Sequence, residues 1–171
     1  MRVLILAILP TILVVAGCGG YSAVDLQNGG AGLWRQDVQT VAVPAFDTTS
    51  FRRYDELRLT KAIATELETR SPYKVAPADR ADTLLEGKIV DSRLATVIRN
   101  RDNAVPQEQL YVVTVDFTWK DLRSGKVLVD RRNFEASAPF YPFLGETDDA
   151  GSYLAVEDLA SAIVSEMQSD W

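Results

Sequence analysis

The sequence predicts an α+β fold, with two helices packed on one face of a mainly antiparallel four-stranded sheet. Three patterns carry that expectation. In YVVTVDFTWK, Tyr111, Val113, Val115, Phe117 and Trp119 alternate with Val112, Thr114, Asp116, Thr118 and Lys120. That is the period of a strand with one dry face and one mostly wet face. Leu59, Ile63 and Leu67 recur every four residues, and Val156, Leu159, Ile163, Met167 and Trp171 recur at spacings of three and four. Both are apolar helix stripes.

The elements follow in order. Thr40 to Phe46, TVAVPAF, reads as a strand in which Pro44 removes a backbone donor, so it belongs at an edge or at a strand end. Asp47-Thr48-Thr49-Ser50 is loop. A helix spans about residues 54–69, its stripe widened by Ala62 and Ala64, and Ser71-Pro72 ends it. Tyr73-Lys74-Val75 is a short strand, and 77–81 is a turn. Residues 84–97 alternate unevenly, with Leu85, Gly87 and Ile89 on one face and Leu94 and Ile98 following later. Gly87 inside that run marks a bulge or a close backbone approach.

After the aromatic strand, Asp121 to Lys126 forms a hairpin connection in which Gly125 supplies a positive φ. Val127 and Val129 begin a return strand to about Ala136, with a change of phase because Phe134 and Ala136 fall on the opposite parity. Residues 137–149 hold two prolines and three aromatics, which break a regular strand, and the last helix starts near Gly151 or Ser152.

The start of the chain has a different character. Met1-Arg2 is positive, Val3 to Val15 is apolar apart from Pro10 and Thr11, and Val15-Ala16-Gly17 places small residues before Cys18. This is the layout of an export signal, too short and too Pro-interrupted to span a bilayer as a helix. Val15-Ala16-Gly17-Cys18 resembles the bacterial lipobox, in which cleavage leaves the cysteine first and acylated. The expected organisation is therefore a lipoprotein signal peptide over 1–17 and an acylated N-terminus with a Gly-rich tether over 18–37. A single α+β domain over 38–171 completes it. Tyr21, Leu33 and Trp34 are the tether residues that either dock on the domain or meet a partner.

Composition narrows the chemistry. Cys18 is the only cysteine and there is no histidine, which excludes internal disulfides, imidazole or thiolate metal sites and Ser-His-Asp arrangements. Removing Arg2 with the leader leaves 17 basic residues against 24 acidic, an acidic balance that argues against nucleic acid as a partner. No phosphate-cradling Gly motif is present. The acid pairs Asp55-Glu56 and Asp148-Asp149 read as helix caps and solvated surface. Neither a catalytic residue nor a cofactor or metal site is expected.

Two features remain as candidates. Arg99 and Arg101 flank Asn100 in the loop before the aromatic strand. They read either as solvated loop or as an anion clamp, since guanidinium forks suit phosphate and carboxylate. Phe140, Tyr141 and Phe143 in PFYPFLG (139–145) form either a partner surface or a cover over one end of the sheet.

The order of these segments resembles the lipopolysaccharide-assembly lipoprotein family, the lipoprotein partner of the outer-membrane lipopolysaccharide translocon. The matching stretches are Cys18-Gly19-Gly20-Tyr21, VQTVAVPAFDTTSFRR (38–53) and DELRLTKAIATELETRSPYKVAPADRADTLLEGKIVD (55–91). The aromatic strand, the turn at 121–128 and a C-terminal helix ending in Trp171 complete the match. The resemblance implies a lipid-anchored protein on the periplasmic face of the outer membrane. Its partners would be a β-barrel translocon that it plugs and scaffolds, and lipopolysaccharide or a similar anionic glycolipid. The alternative is an outer-membrane lipoprotein that activates a peptidoglycan synthase or forms part of a secretion complex. Family basic residues that bind the glycolipid have no motif match here, so Arg99 and Arg101 rest on their own pattern.

Overall fold

The computed structural model describes residues 34–49 and 54–168, so the expected leader, the expected acylation position Cys18 and Trp171 lie outside the described residues. The chain runs β1 (Thr40–Ala42), β2 (Asp47–Thr48), α1 (Asp55–Arg70), β3 (Lys74–Val75), β4 (Thr83–Arg99), β5 (Pro106–Asp121) and β6 (Val127–Phe140). A short 3-10 turn (Pro142–Leu144) and α2 (Asp148–Glu166) follow.

The sheet corrects the four-stranded, mainly antiparallel expectation. It has six strands of mixed direction, ordered β3-β1-β4-β5-β6, with β2 also paired to β4. β1 lies parallel to both β3 and β4, and β2 parallel to β4, whereas β4-β5-β6 is antiparallel. The reasons are local. Of the segment expected as one strand over 40–46 only Thr40–Ala42 is strand, ending before Pro44, while Asp47–Thr48, expected as loop, forms β2. The two meet β4 separately at Thr83–Leu84 and Lys88–Ile89. The helix between β1 and β3 is long enough for a crossover, so those strands run the same way.

Two boundaries also move. β6 continues through Pro139 to Phe140, in register with Gln109 and Leu110. A proline is tolerated there because β6 is an edge strand with one side unpaired. α2 begins at Asp148, with Asp148 and Asp149 in its first turn favouring the positive helix end. Gly151 is therefore a packing residue inside α2. A Cβ there would lie 2.7 Å from the Phe140 ring and 3.0 Å from the Tyr111 Cβ. Gly87 answers its expectation of a close approach, because a Cβ would collide with the Phe46 ring and lie 2.8 Å from the Asp116 carbonyl oxygen.

The core sits between the dry sheet face and the helices. Tyr111, Val113, Val115, Phe117 and Trp119 are all buried, as are Leu59, Ile63 and Leu67 of α1 and Val156, Leu159, Ile163 and Met167 at the α2 end. α2 lies over β5 and β6, and α1 lies beside α2 toward β3.

Two irregularities reshape the long strands. A register shift between Ile89 and Asp91 changes the parity of β4, which is why Leu94 and not an odd-numbered residue faces Tyr111. In β6, Arg132 and Asn133 together oppose Asp116, and Asn133 adopts φ +50° while its N–H donates to the Asp116 carboxylate at 2.8 Å. Trp34, placed in the tether by sequence, is buried against Tyr73 with an edge-to-face ring separation of 5.6 Å.

Candidate functional site

Strand ends decide where the site lies. Pairing of β5 with β6 stops at Gln109–Phe140, but pairing of β4 with β5 continues to Arg99–Pro106. Residues 97–108 therefore project past β6 as a two-stranded arm. A second register shift at Val97 interrupts alternation, and Val97, Ile98 and Val105 are all exposed along with Leu94 nearer the root.

The tip is closed by backbone and asparagine bonds. Asn100 N–H donates to the Val105 carbonyl at 2.9 Å, and Ala104 N–H to the Asn100 carbonyl at 3.0 Å, with Ala104 at φ +58°. The Asn100 and Asn103 side-chain oxygens accept from the N–H groups of Asp102 and Val105. Arg99 makes one long bond, 3.5 Å, to the Ala104 carbonyl. Among the described residues Arg101 makes no ion pair or hydrogen bond. The tip thus presents two exposed guanidiniums beside exposed aliphatic side chains.

The aromatic candidates divide. Phe140 is buried, where it meets Gly151. Tyr141 is half-buried and stacks edge-to-face on Phe143 at 6.3 Å, and its N–H donates to Glu146 at 2.8 Å. Phe143 and Leu144 are exposed. Because Phe140 is in register with Gln109, this loop and the arm share one end of the sheet.

A polar node at the root of the arm escaped the sequence reading. Asp55, in the first turn of α1, is buried and accepts from Tyr111 Oη at 2.6 Å, Ser152 Oγ at 2.8 Å and Ser92 Oγ at 3.4 Å. Arg58 donates to Ser152 at 3.3 Å and pairs with Asp149 at 2.6 Å. One carboxylate thereby joins both helix starts to β4 and β5 where the arm begins. A buried charge requires such partners. The signal was available: Asp55 lies one turn before Leu59 on the same stripe, and Ser152 precedes Val156 in the same way.

The sheet face away from the helices is covered by ion pairs. Arg93 spans Asp91 and Glu135, Lys120 meets Glu86, and Arg132 meets Asp116 and Asp130. The Arg93 pKa rises through its bonds to Asp91 and then Glu135. Among the described residues no group of acidic, cysteine or histidine side chains can hold a metal ion.

The family model for LptE, lipopolysaccharide-assembly, matches residues 38–170. The chain belongs to that family. This LptE-family chain is accordingly a lipid-anchored protein on the periplasmic face of the outer membrane, with a non-catalytic role in lipopolysaccharide assembly. Its partners are those of the family at the coarse level, an outer-membrane translocon and a lipopolysaccharide-like molecule. No curated protein matches it. Among solved structures it is similar to the PelC dodecamer from Paraburkholderia phytofirmans, at 16% identity over 80% of this chain and 93% of that one, with a TM-score of 0.51. It is also similar to the hypothetical protein CT253 from Chlamydia trachomatis, at 12% identity over 74% and 94%, TM-score 0.53. The uncharacterized lipoprotein B from Nitrosomonas europaea matches at 11% identity over 75% and 81%, TM-score 0.50. At these identities the likeness shows the fold alone.

Proposed function

We propose that this LptE-family chain docks in a β-barrel translocon as a plug and scaffold, and that its arm meets the anionic groups of lipopolysaccharide through Arg99 and Arg101. The observation that carries the glycolipid contact is the arm tip. Two guanidiniums stand at the end of a projecting hairpin, one with a single long bond and one with no partner among the described residues. Exposed Val97, Ile98 and Val105 beside them suit acyl chains, while the guanidiniums suit phosphate or carboxylate.

The plug reading draws support from the bare sheet face. Its ion pairs satisfy one another, so it suits a water-lined barrel interior and not a lipid-facing site. Phe143 and half-buried Tyr141 are the proposed contacts with the barrel wall at the arm end.

The test compares lipopolysaccharide binding by the wild type and by the double variant Arg99→Ala/Arg101→Ala, at low and high salt. Each charge-assisted bond contributes about 1.5–3 kcal/mol. The expected result is a loss of at least tenfold at low salt that shrinks at high salt. Equal binding by a folded double variant overturns the arm contact. Purification from mild detergent without a barrel partner overturns the plug.

A further inference from the structure

At the opposite end of the sheet from the arm, the strap that leads toward the N-terminus is held tightly. Trp34 is buried on Tyr73, Arg35 N–H donates to Tyr73 Oη at 2.9 Å, and Arg123 Nη2 donates to the Asp37 carbonyl at 2.8 Å. The register places this exit point beside the start of β4, because Val41 is level with Thr83 and Thr83 with Asp121. The β5–β6 turn, residues 122–126, lies at that same end. β4 has 17 residues, so the arm tip stands about 50 Å away along the strand.

The charges at this end are sorted. Asp82 turns inward, where its carboxylate accepts from Gln39 N–H, Thr40 N–H and the Thr40 hydroxyl at 2.9–3.1 Å. Asp121 likewise accepts from the N–H groups of Arg123 and Ser124 at 2.7 and 3.0 Å. Asp37 is paired with Arg35 at 2.7 Å. The cations are outward: Lys74 and Lys126 are exposed, and their side chains have no partner among the described residues. Beside Lys126 the aliphatic side chains of Leu122 and Val127 are 38% and 52% exposed. Acids spent on backbone donors, free lysines and exposed aliphatic groups make this end attractive to an anionic interface, in a chain whose formal net charge is −6.

We propose that this end rests on the anionic lipid headgroups of the leaflet that holds the acyl anchor, through Lys74, Lys126, Leu122 and Val127. The proposal rests on the reading that Cys18 is acylated. Fifteen residues separate Cys18 from Trp34, a span of at most about 55 Å fully extended. A tether about as long as β4 does not by itself fix which end faces the surface, but the strap end is the part of the described fold nearest the anchor along the chain. A basic and apolar patch there adds a second membrane signal to the acyl chains and sets the orientation of the sheet. The arm is left at the far end, available to its own ligand.

The experiment uses the acylated full chain in phosphatidylethanolamine vesicles containing phosphatidylglycerol, with phosphatidylcholine replacing phosphatidylglycerol as control. Because Cys18 is the only cysteine and carries the acyl groups, a fluorophore goes solely to an introduced cysteine, Ser124→Cys or Asp102→Cys. Energy transfer to a headgroup-labelled lipid reports proximity. The expected result is several-fold stronger transfer from position 124 than from 102 in anionic vesicles. Adding Lys74→Glu/Lys126→Glu to Ser124→Cys, or moving to the neutral control, reduces that difference. Equal transfer from both positions, or a difference indifferent to both changes, overturns the proposal while leaving acylation intact. Mass spectrometry of the same sample separates the two failures, since an unacylated N-terminus overturns both readings together.

Discussion

The Tyr111 hydroxyl donates across 2.6 Å to the carboxylate of Asp55, so the first residue of α1 is fastened to the middle strand of the antiparallel sheet. The bond crosses the dry interior where water cannot replace it. Tyr111→Phe removes one donor from a buried charge while keeping the ring, and the expected loss is about 1.5–3 kcal/mol. Denaturant unfolding of the two proteins measures it. Unchanged stability would place the node outside the set of contacts that hold α1.

Trp34→Ala tests whether the strap belongs to the folded unit. Trp34 is 5% exposed and covers Tyr73, whose ring in turn lies 6.0 Å from that of Trp119. Truncation of a buried aromatic of this size costs about 3–5 kcal/mol. Thermal melting reads the effect, and a curve superimposable on wild type would return residues 34–37 to the tether.

Gly151→Ala tests the contact between α2 and β6. The helix gains propensity from alanine, but the added methyl meets the Phe140 ring and the Tyr111 Cβ within about 3 Å. Overpacking of this kind costs about 1–3 kcal/mol and outweighs the propensity gain. A variant more stable than wild type in urea would show that α2 shifts freely over the sheet.

Acid should weaken the fold through Asp82 and Asp121. Bonds from Gln39 N–H and then Thr40 hold the Asp82 carboxyl below its usual range, and the Ser124 and Arg123 N–H groups do the same for Asp121. A depressed folded-state pKa gives stability that is complete above the unfolded value, about 3.9, and lost as pH falls through the folded value. The melting temperature is therefore expected to drop between about pH 5 and pH 2, and Asp82→Asn should flatten part of that drop. Parallel melting curves for both proteins across that range would contradict the assignment.

How much was legible depends on the kind of signal. The dry stripe from Tyr111 to Trp119 was readable because alternation is a local property, and so was the Gly125 turn, where φ is +72°. The parallel pairing was not: Lys74–Val75 reads as a short strand, but Asp47–Thr48 reads as loop, and two residues carry no period that would tell a partner or a direction. The arm escaped for a related reason, since the overhang of one strand beyond another is a matter of register, not composition. Arg99 and Arg101 were singled out by residue type, but their position at the end of an overhang came from the pairing of β4, β5 and β6. Asp55 is hidden by the usual habit of acids at helix starts, which cap the helix or face solvent, although its place on the Leu59-Ile63-Leu67 stripe points inward.

The irregularity at Asn133 bears on how such a chain avoids pairing edge to edge while it travels. β6 is a 14-residue strand with an open outer side, a template on which another extended chain could crystallise as further sheet. With Arg132 and Asn133 crowded opposite Asp116, the open side is broken near its midpoint, and Arg131 and Arg132 add charge at the break. A bulge there twists the edge, so a second chain cannot pair in one register along its whole length. A protein exported toward a crowded membrane thus carries its own guard against self-association, and Asn133 sits at the centre of it.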